Sequence, residues 1–171
     1  YKKIQSYKNL CFGKINRYNH DDIGWNYRFT NLQASLGISQ LDRIASIIKK
    51  KKEIGGLYYN YLKNNKNIYI QSPTYKGLKN IYWVVGILIL NKKITADEIR
   101  KKLYKYGIDT RAFFWPMNKQ KILKKYKIKL TGNFYNSEIL SNYGFYLPSG
   151  LGTTKKEIKF ISSRLNNLFS S

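Results

Sequence analysis

At 171 residues and 43% hydrophobic content the chain can bury one ordinary core, and no apolar run is long enough to cross a bilayer as a helix. Its formal net charge of +23 comes mostly from scattered lysines, with only six Arg among 32 basic residues; this argues for a solvated, anion-attracting surface over Arg-based readout of nucleic acid. A lone Cys11 excludes a disulfide framework and a cysteine metal cluster, and with no signal peptide opening the sequence the expected setting is a reducing cytoplasm.

Residues 1–19 are basic and aromatic without clear periodicity, and the absence of an initiator Met suggests a start within a longer protein or a Met removed by processing. From His20 to Phe29 a polar, aromatic loop leads into a helix whose start is marked by a capping box, Thr30 with Gln33. Asn26, Tyr27 and Arg28 therefore stand just ahead of a helix N-terminus, where free amides and the positive dipole end suit a phosphate. Leu32, Leu36, Leu41, Ile44, Ile47, Ile48 and Ile54 recur at helical spacing and predict two consecutive helices with a bend near residues 41–42. Gly37 suggests close helix packing between subunits, Lys49 to Lys52 a solvated face, and Gly55-Gly56 a weakening before the helix resumes at Tyr58.

A short strand is expected at Ile68 to Ile70, a loop from Pro73 to Asn80, and a buried strand over Ile81 to Leu90. Thr95 with Glu98 opens a second capped helix with an apolar face of Ile99, Leu103 and Tyr106, closed by Gly107 as the C′ residue. Residues 108–116 read as an extended strand running into a turn, with Trp115 held out of helix by Pro116. A short helix is expected over residues 136–143. A third box, Thr154 with Glu157, opens a C-terminal helix striped by Ile158, Ile161, Leu165 and Leu168. Strands and helices alternate after residue 65, the pattern of an α/β layer structure.

The run His20, Ile23, Gly24, Trp25, Asn26, Tyr27, Arg28, Phe29, Thr30, Asn31, Ala34, Gly37, Gln40, Leu41 resembles the signature of the DegT/DnrJ/EryC1/StrS sugar aminotransferases, most of all the perosamine-synthase type. The likeness continues through Gly107, Ile108, Thr110, Arg111, Phe114 and Pro116 and through the Leu147-Pro148-Ser149 turn. It departs at Asn118, where the family carries His. The resemblance implies the C-terminal part of a fold-type I pyridoxal-phosphate transferase: long linking helices plus a small mixed or antiparallel sheet with packed helices. Residues 1–29 would end the large cofactor domain with an interface loop, residues 30–65 form the linking helices, and residues 66–171 a small α/β domain.

By the same resemblance the cofactor is pyridoxal 5′-phosphate, and the reaction moves an amino group from L-glutamate to a nucleotide-linked 4-keto-6-deoxy sugar, as in O-antigen and other polysaccharide biosynthesis. The Ser-x-x-Lys and Gly-Glu-Gly-Gly elements around the Schiff-base lysine are not found here, so that lysine is expected upstream and the chain alone is expected to be inactive. Asn26 is assigned to the cofactor phosphate of a partner in a homodimer with active sites at the interface, with Arg28 as cationic support and His20 at the entrance. Arg111 would pair with the donor carboxylate or sugar diphosphate, or form a buried ion pair. Phe114 and Trp115, with Phe113, would stack on sugar or base, or fill the core. Membrane and metal have no expected role. Two other readings are a basic aromatic module for RNA or single-stranded DNA, against which the dispersed lysines count, and a noncatalytic remnant kept for dimerisation.

Overall fold

The computed structural model describes residues 1–13 and 19–169. Helix α1 (Lys2–Lys8) lies in the stretch that gave no periodic signal and buries none of its residues. Helix α2 (Asn31–Leu41) starts at Thr30 with both arms of the capping box formed: Gln33 N–H donates to Thr30 Oγ1 at 3.2 Å and Thr30 N–H to Gln33 Oε1 at 2.9 Å. After the expected bend, α3 (Ile44–Leu62) runs on without a break through Gly55-Gly56. Gly55 is a seat for the Tyr82 ring, because a Cβ there would lie 2.1 Å from that ring. Gly37 has nothing within 4 Å of the place its Cβ would occupy, so it packs on nothing within the described chain.

Strands β1 (Ile68–Ile70), β2 (Thr74–Tyr75) and β3 (Leu78–Lys79) follow. The last two form a small antiparallel hairpin where the sequence suggested only a loop. Its two turn residues, Lys76 at φ 48° and Gly77 at φ 81°, both take the left-handed conformation of a type I′ turn. Strand β4 (Val85–Ile89) begins four residues later than the apolar run, because Tyr82 turns left-handed at φ 51° and drops its ring onto Gly55. The Tyr82 hydroxyl donates to Gln71 O at 2.9 Å, and burial pushes its pKa up to about 12.

Helix α4 (Ala96–Tyr104) is capped as expected, and Gly107, at φ 74°, closes it. Ile108 N–H reaches Leu103 O at 3.2 Å and Gly107 N–H reaches Tyr104 O at 2.9 Å, the two bonds of a Schellman motif. Strand β5 keeps only Arg111–Ala112 of the expected extended stretch. It leads to a 3₁₀ turn (Met117–Lys119), a short helix α5 (Lys121–Lys125), α6 (Tyr135–Tyr143), β6 (Gly144–Leu147) and α7 (Lys155–Asn167).

The main sheet has the order β1-β4-β6-β5 and every pair in it is antiparallel, which settles the mixed-or-antiparallel expectation. Its register puts Ile68, Ile70, Val85, Ile87, Ile89, Phe145 and Leu147 on one face. That face meets Ile54, Tyr58 and Leu62 of α3, Ile99 and Leu103 of α4, and Ile158, Ile161 and Leu165 of α7 in one core. Truncating any one of the large aliphatics to Ala is expected to cost about 2–5 kcal/mol. The opposite face is less covered. There Phe113 lies across the sheet glycines, with a Cβ at Gly144 falling 2.3 Å and one at Gly86 3.1 Å from its ring, and it packs on Tyr146 at 4.4 Å between centroids. The chain divides into two compact units, residues 1–45 and 46–171. Among the described residues no helix is long and apolar enough to cross a membrane.

Candidate functional site

In the first unit the loop bearing Asn26 is held by backbone pairing to the end of α1. Trp25 N–H donates to Tyr7 O at 2.7 Å, Leu10 N–H to Trp25 O at 3.1 Å and Tyr27 N–H to Lys8 O at 2.8 Å, with Asn9 and Asn26 bridged. Leu10 and Cys11 adopt left-handed backbone at φ 63° and 50° to turn the chain toward this strand-like segment. Gly24 sits so close to that turn that a Cβ would lie 2.5 Å from Leu10 C and 2.6 Å from Cys11 N. The glycine in the motif is therefore a requirement of backbone approach.

On this clamped backbone the Asn26 side chain is exposed, and among the described residues its carboxamide has no hydrogen-bond partner. Two residues on, Arg28 is also exposed; its guanidinium lies 5.9 Å from the centroid of the Phe12 ring and has no carboxylate partner among the described residues. Phe12 also packs on His20, 5.0 Å between centroids, so one aromatic ring gathers two of the expected site residues. His20 Nδ1 lies 2.6 Å from Leu10 O; a carbonyl only accepts, so Nδ1 carries a proton and Nε2 is the nitrogen left outside this bond. The same bond makes His20 a brace of the loop. Trp25 and Tyr27 stack nearly parallel, 6.3 Å apart and 7° between planes, and remain exposed. Asp22 accepts from Ile23 N–H at 2.7 Å and from the Tyr7 hydroxyl at 2.9 Å, and these bonds, the first above all, hold its carboxyl below the usual range.

In the second unit Arg111 is exposed at the β5 edge and has no carboxylate partner among the described residues, so the buried ion pair is not formed. It lines an open groove of about 980 Å³ with Lys51, Trp83, Asp109, Ser149 and Thr153. Phe114 and Trp115 are 73% and 60% exposed, which removes them from the core. They line a neighbouring apolar cavity of about 500 Å³ with Phe113 and Tyr146, and the Trp115 indole is fixed by donation to Lys119 O at 3.2 Å. Asn118 donates through Nδ2 to Glu138 Oε1 at 3.1 Å while Lys119 pairs with Glu138 Oε2 at 3.1 Å. Asn118 is thus part of a local polar brace, and its Oδ1 is buried without a partner among the described residues.

Lys51 is the residue that sequence reasoning missed. Expected on a solvated face, it is half-buried and donates to Ser149 O at 2.6 Å, and burial lowers its pKa. The signal was present: residues 51, 54, 58 and 62 share one stripe of α3, and the last three are core. Tyr58 from the same stripe donates to Pro148 O at 2.8 Å, so α3 fixes the Leu147-Pro148-Ser149 turn at two points.

Residues 1–166 match the profile of the DegT/DnrJ/EryC1/StrS aminotransferase family. The chain belongs to this family. It is 28% identical over 171 residues to the GDP-perosamine synthase of Escherichia coli O157:H7, an alignment covering 99% of this chain and 44% of that protein. It is 30% identical over 156 residues to the GDP-perosamine synthase of Vibrio cholerae, covering 90% of this chain and 41% of that protein. The chain therefore spans less than half the length of these relatives. Among solved structures, Helicobacter pylori PseC, an aminotransferase involved in pseudaminic acid biosynthesis, superposes with a TM-score of 0.83 at 21% identity, over 98% of this chain and 45% of that one. Streptococcus pneumoniae Spr1654 in its PLP form superposes with a TM-score of 0.80 at 18% identity, over 98% of this chain and 43% of that one. The expected fold class, α/β with the architecture of part of a pyridoxal-phosphate aminotransferase, is the one observed. The cofactor expected from the motif is the one carried by that S. pneumoniae protein.

Proposed function

We propose that this chain is the C-terminal portion of a pyridoxal-phosphate aminotransferase acting on a nucleotide-linked 4-keto-6-deoxy sugar, with L-glutamate as amino donor, in the manner of a GDP-perosamine synthase. The observation that carries this reading is the state of Asn26 and Arg28. A carboxamide and a guanidinium are both exposed and, among the described residues, without polar partners, on a backbone clamped by α1 and the α2 cap. A rigid segment presenting unspent donors fits a phosphate group, because little ordering cost remains when the anion arrives.

Pyridoxal phosphate, when bound, supplies the electron sink for amino transfer. Asn26 donates through its amide N–H to the cofactor phosphate of the neighbouring protomer, and Arg28 adds a fixed positive charge beside it. His20, its Nδ1 proton committed to Leu10 O, offers Nε2 to the approaching substrate. Arg111 holds a carboxylate or diphosphate, and Phe114 and Trp115 supply flat apolar surfaces to the sugar or base. The covalent lysine belongs to a segment of the protein outside these 171 residues, the active unit is a homodimer, and its setting is the cytoplasm.

The test joins the chain to the upstream part of the E. coli relative and follows ¹⁵N from L-glutamate to a GDP-linked 4-keto-6-deoxy sugar by mass spectrometry. Transfer by the joined protein, with neither transfer nor a stoichiometric cofactor absorbance band from the chain alone, is the expected result. A stoichiometric band from the chain alone, or no transfer by the joined protein, contradicts the proposal.

A further inference from the structure

The groove beside Arg111 contains a second cation that the reading above leaves without a task. Lys51 Nζ is half-buried, bonded to Ser149 O at 2.6 Å and within 3.4 Å of Ser149 Oγ, and has no carboxylate partner among the described residues. Holding an ammonium partly out of water without an acid beside it is unfavourable, and an incoming anion would relieve that cost. Arg111, on the same groove, is likewise without an acid. Of the lining carboxylates, Glu157 is committed to the α7 cap, accepting from Thr154 N–H at 2.7 Å and Thr154 Oγ1 at 2.8 Å. Asp109 remains as an acceptor suited to hydroxyl groups, and Trp83, 71% exposed, gives the groove a flat aromatic wall.

Cations, a hydroxyl acceptor and an aromatic surface together match a molecule that has a phosphate, a sugar and a ring. Size narrows the class. Small-molecule sites run to about 300–1,000 Å³, so a groove of about 980 Å³ would be underfilled by a single phosphate.

We propose that Lys51 and Arg111 together form an anion clamp in this groove, and that the clamp takes the diphosphate of a nucleotide-linked sugar. This rests on the reading of Arg111 as a substrate residue and adds Lys51 to it, with the Pro148–Ser149 turn as the support that holds Lys51 in place. Lys51 contributes a compact charge and Arg111 a planar fork, so the pair can grip two phosphoryl groups at once.

Calorimetric titration of the chain with inorganic pyrophosphate, and separately with GDP, tests the clamp. Lys51→Gln removes the charge and keeps a side-chain N–H donor, one bond shorter, and the turn is expected to hold through Tyr58 and Pro148 O. Its dissociation constant for both probes is expected to rise about tenfold or more. Arg111→Gln is expected to do the same and Lys51→Arg to restore binding. Lys66→Gln, which removes the same charge outside the groove, is expected to leave binding unchanged. Equal loss in Lys66→Gln would mean a general charge effect and would overturn the clamp. So would unchanged binding in Lys51→Gln, or a single-stranded oligonucleotide that pyrophosphate cannot displace. Amino transfer by the joined protein with pyrophosphate binding indifferent to Lys51 contradicts the clamp alone. Lys51-dependent binding without amino transfer contradicts the functional reading alone.

Discussion

At the residue scale, the family motif divides into positions that shape the backbone and positions that present chemistry. Gly24 is of the first kind, since any Cβ there meets Leu10 C at 2.5 Å. Gly24→Ala is expected to cost about 1–3 kcal/mol as an overpacking change. It should abolish hydrogen-exchange protection at the Trp25 and Tyr27 amides; protection equal to wild type would contradict this role. On the proposed function Asn26 and Arg28 are of the second kind, and they were legible only through the motif, because an Asn-x-Arg loop carries no signal of its own. Lys51 was legible from helical spacing and was hidden by the lysine run around it. Tyr82 turns left-handed where its N–H donates to Asn80 Oδ1 at 2.8 Å, a local Asn turn, and its ring takes the space that Gly55 leaves on α3.

At the element scale, three helices begin with complete capping boxes, at Thr30, Thr95 and Thr154, and all three were visible as a Thr followed three residues later by Gln or Glu. Hydrogen bonds from the threonine backbone N–H and then from its hydroxyl hold the Glu98 and Glu157 carboxyls below the usual glutamate range. A lowered folded pKa means stability that is present above the unfolded value and lost as pH falls through the folded one. Thr154→Ala is expected to lose about 1 kcal/mol at neutral pH and less once the glutamates are protonated. Thermal unfolding followed by circular dichroism across that range reads the difference, and a loss independent of pH would contradict the box as its source. Strand ends were less legible than helix starts. The hairpin at Thr74 to Lys79 needed a left-handed Lys76 that sequence does not announce, and β5 keeps two residues, with Phe113 N–H still donating to Gly144 O at 3.4 Å while its ring covers Gly86 and Gly144.

At the scale of the whole molecule, the two units differ in what they bury. Residues 46–171 hold the shared core of α3, α4, α7 and the sheet. In residues 1–45, Cys11 is the one described residue that is buried, and Leu32, Leu36, Ile38 and Leu41 of α2 are 60–73% exposed. On the proposed function these side chains, which lie around α2 and not along one face of it, are covered by the rest of the aminotransferase or by a second protomer. The fold class was thus readable from alternation and caps, while the completeness of the site was not, because on the proposed function its cofactor anchor belongs to other residues. The central claim is that Asn26 serves a neighbour's cofactor, and trans-complementation tests it most directly. Two joined proteins are mixed, one with Asn26→Ala and one without the anchoring lysine, and ¹⁵N transfer from L-glutamate is followed. Transfer by the mixture where neither parent is active is the predicted result, since the mixed dimer rebuilds one whole site; a mixture as inactive as its parents, or full activity in the Asn26→Ala parent, would contradict it.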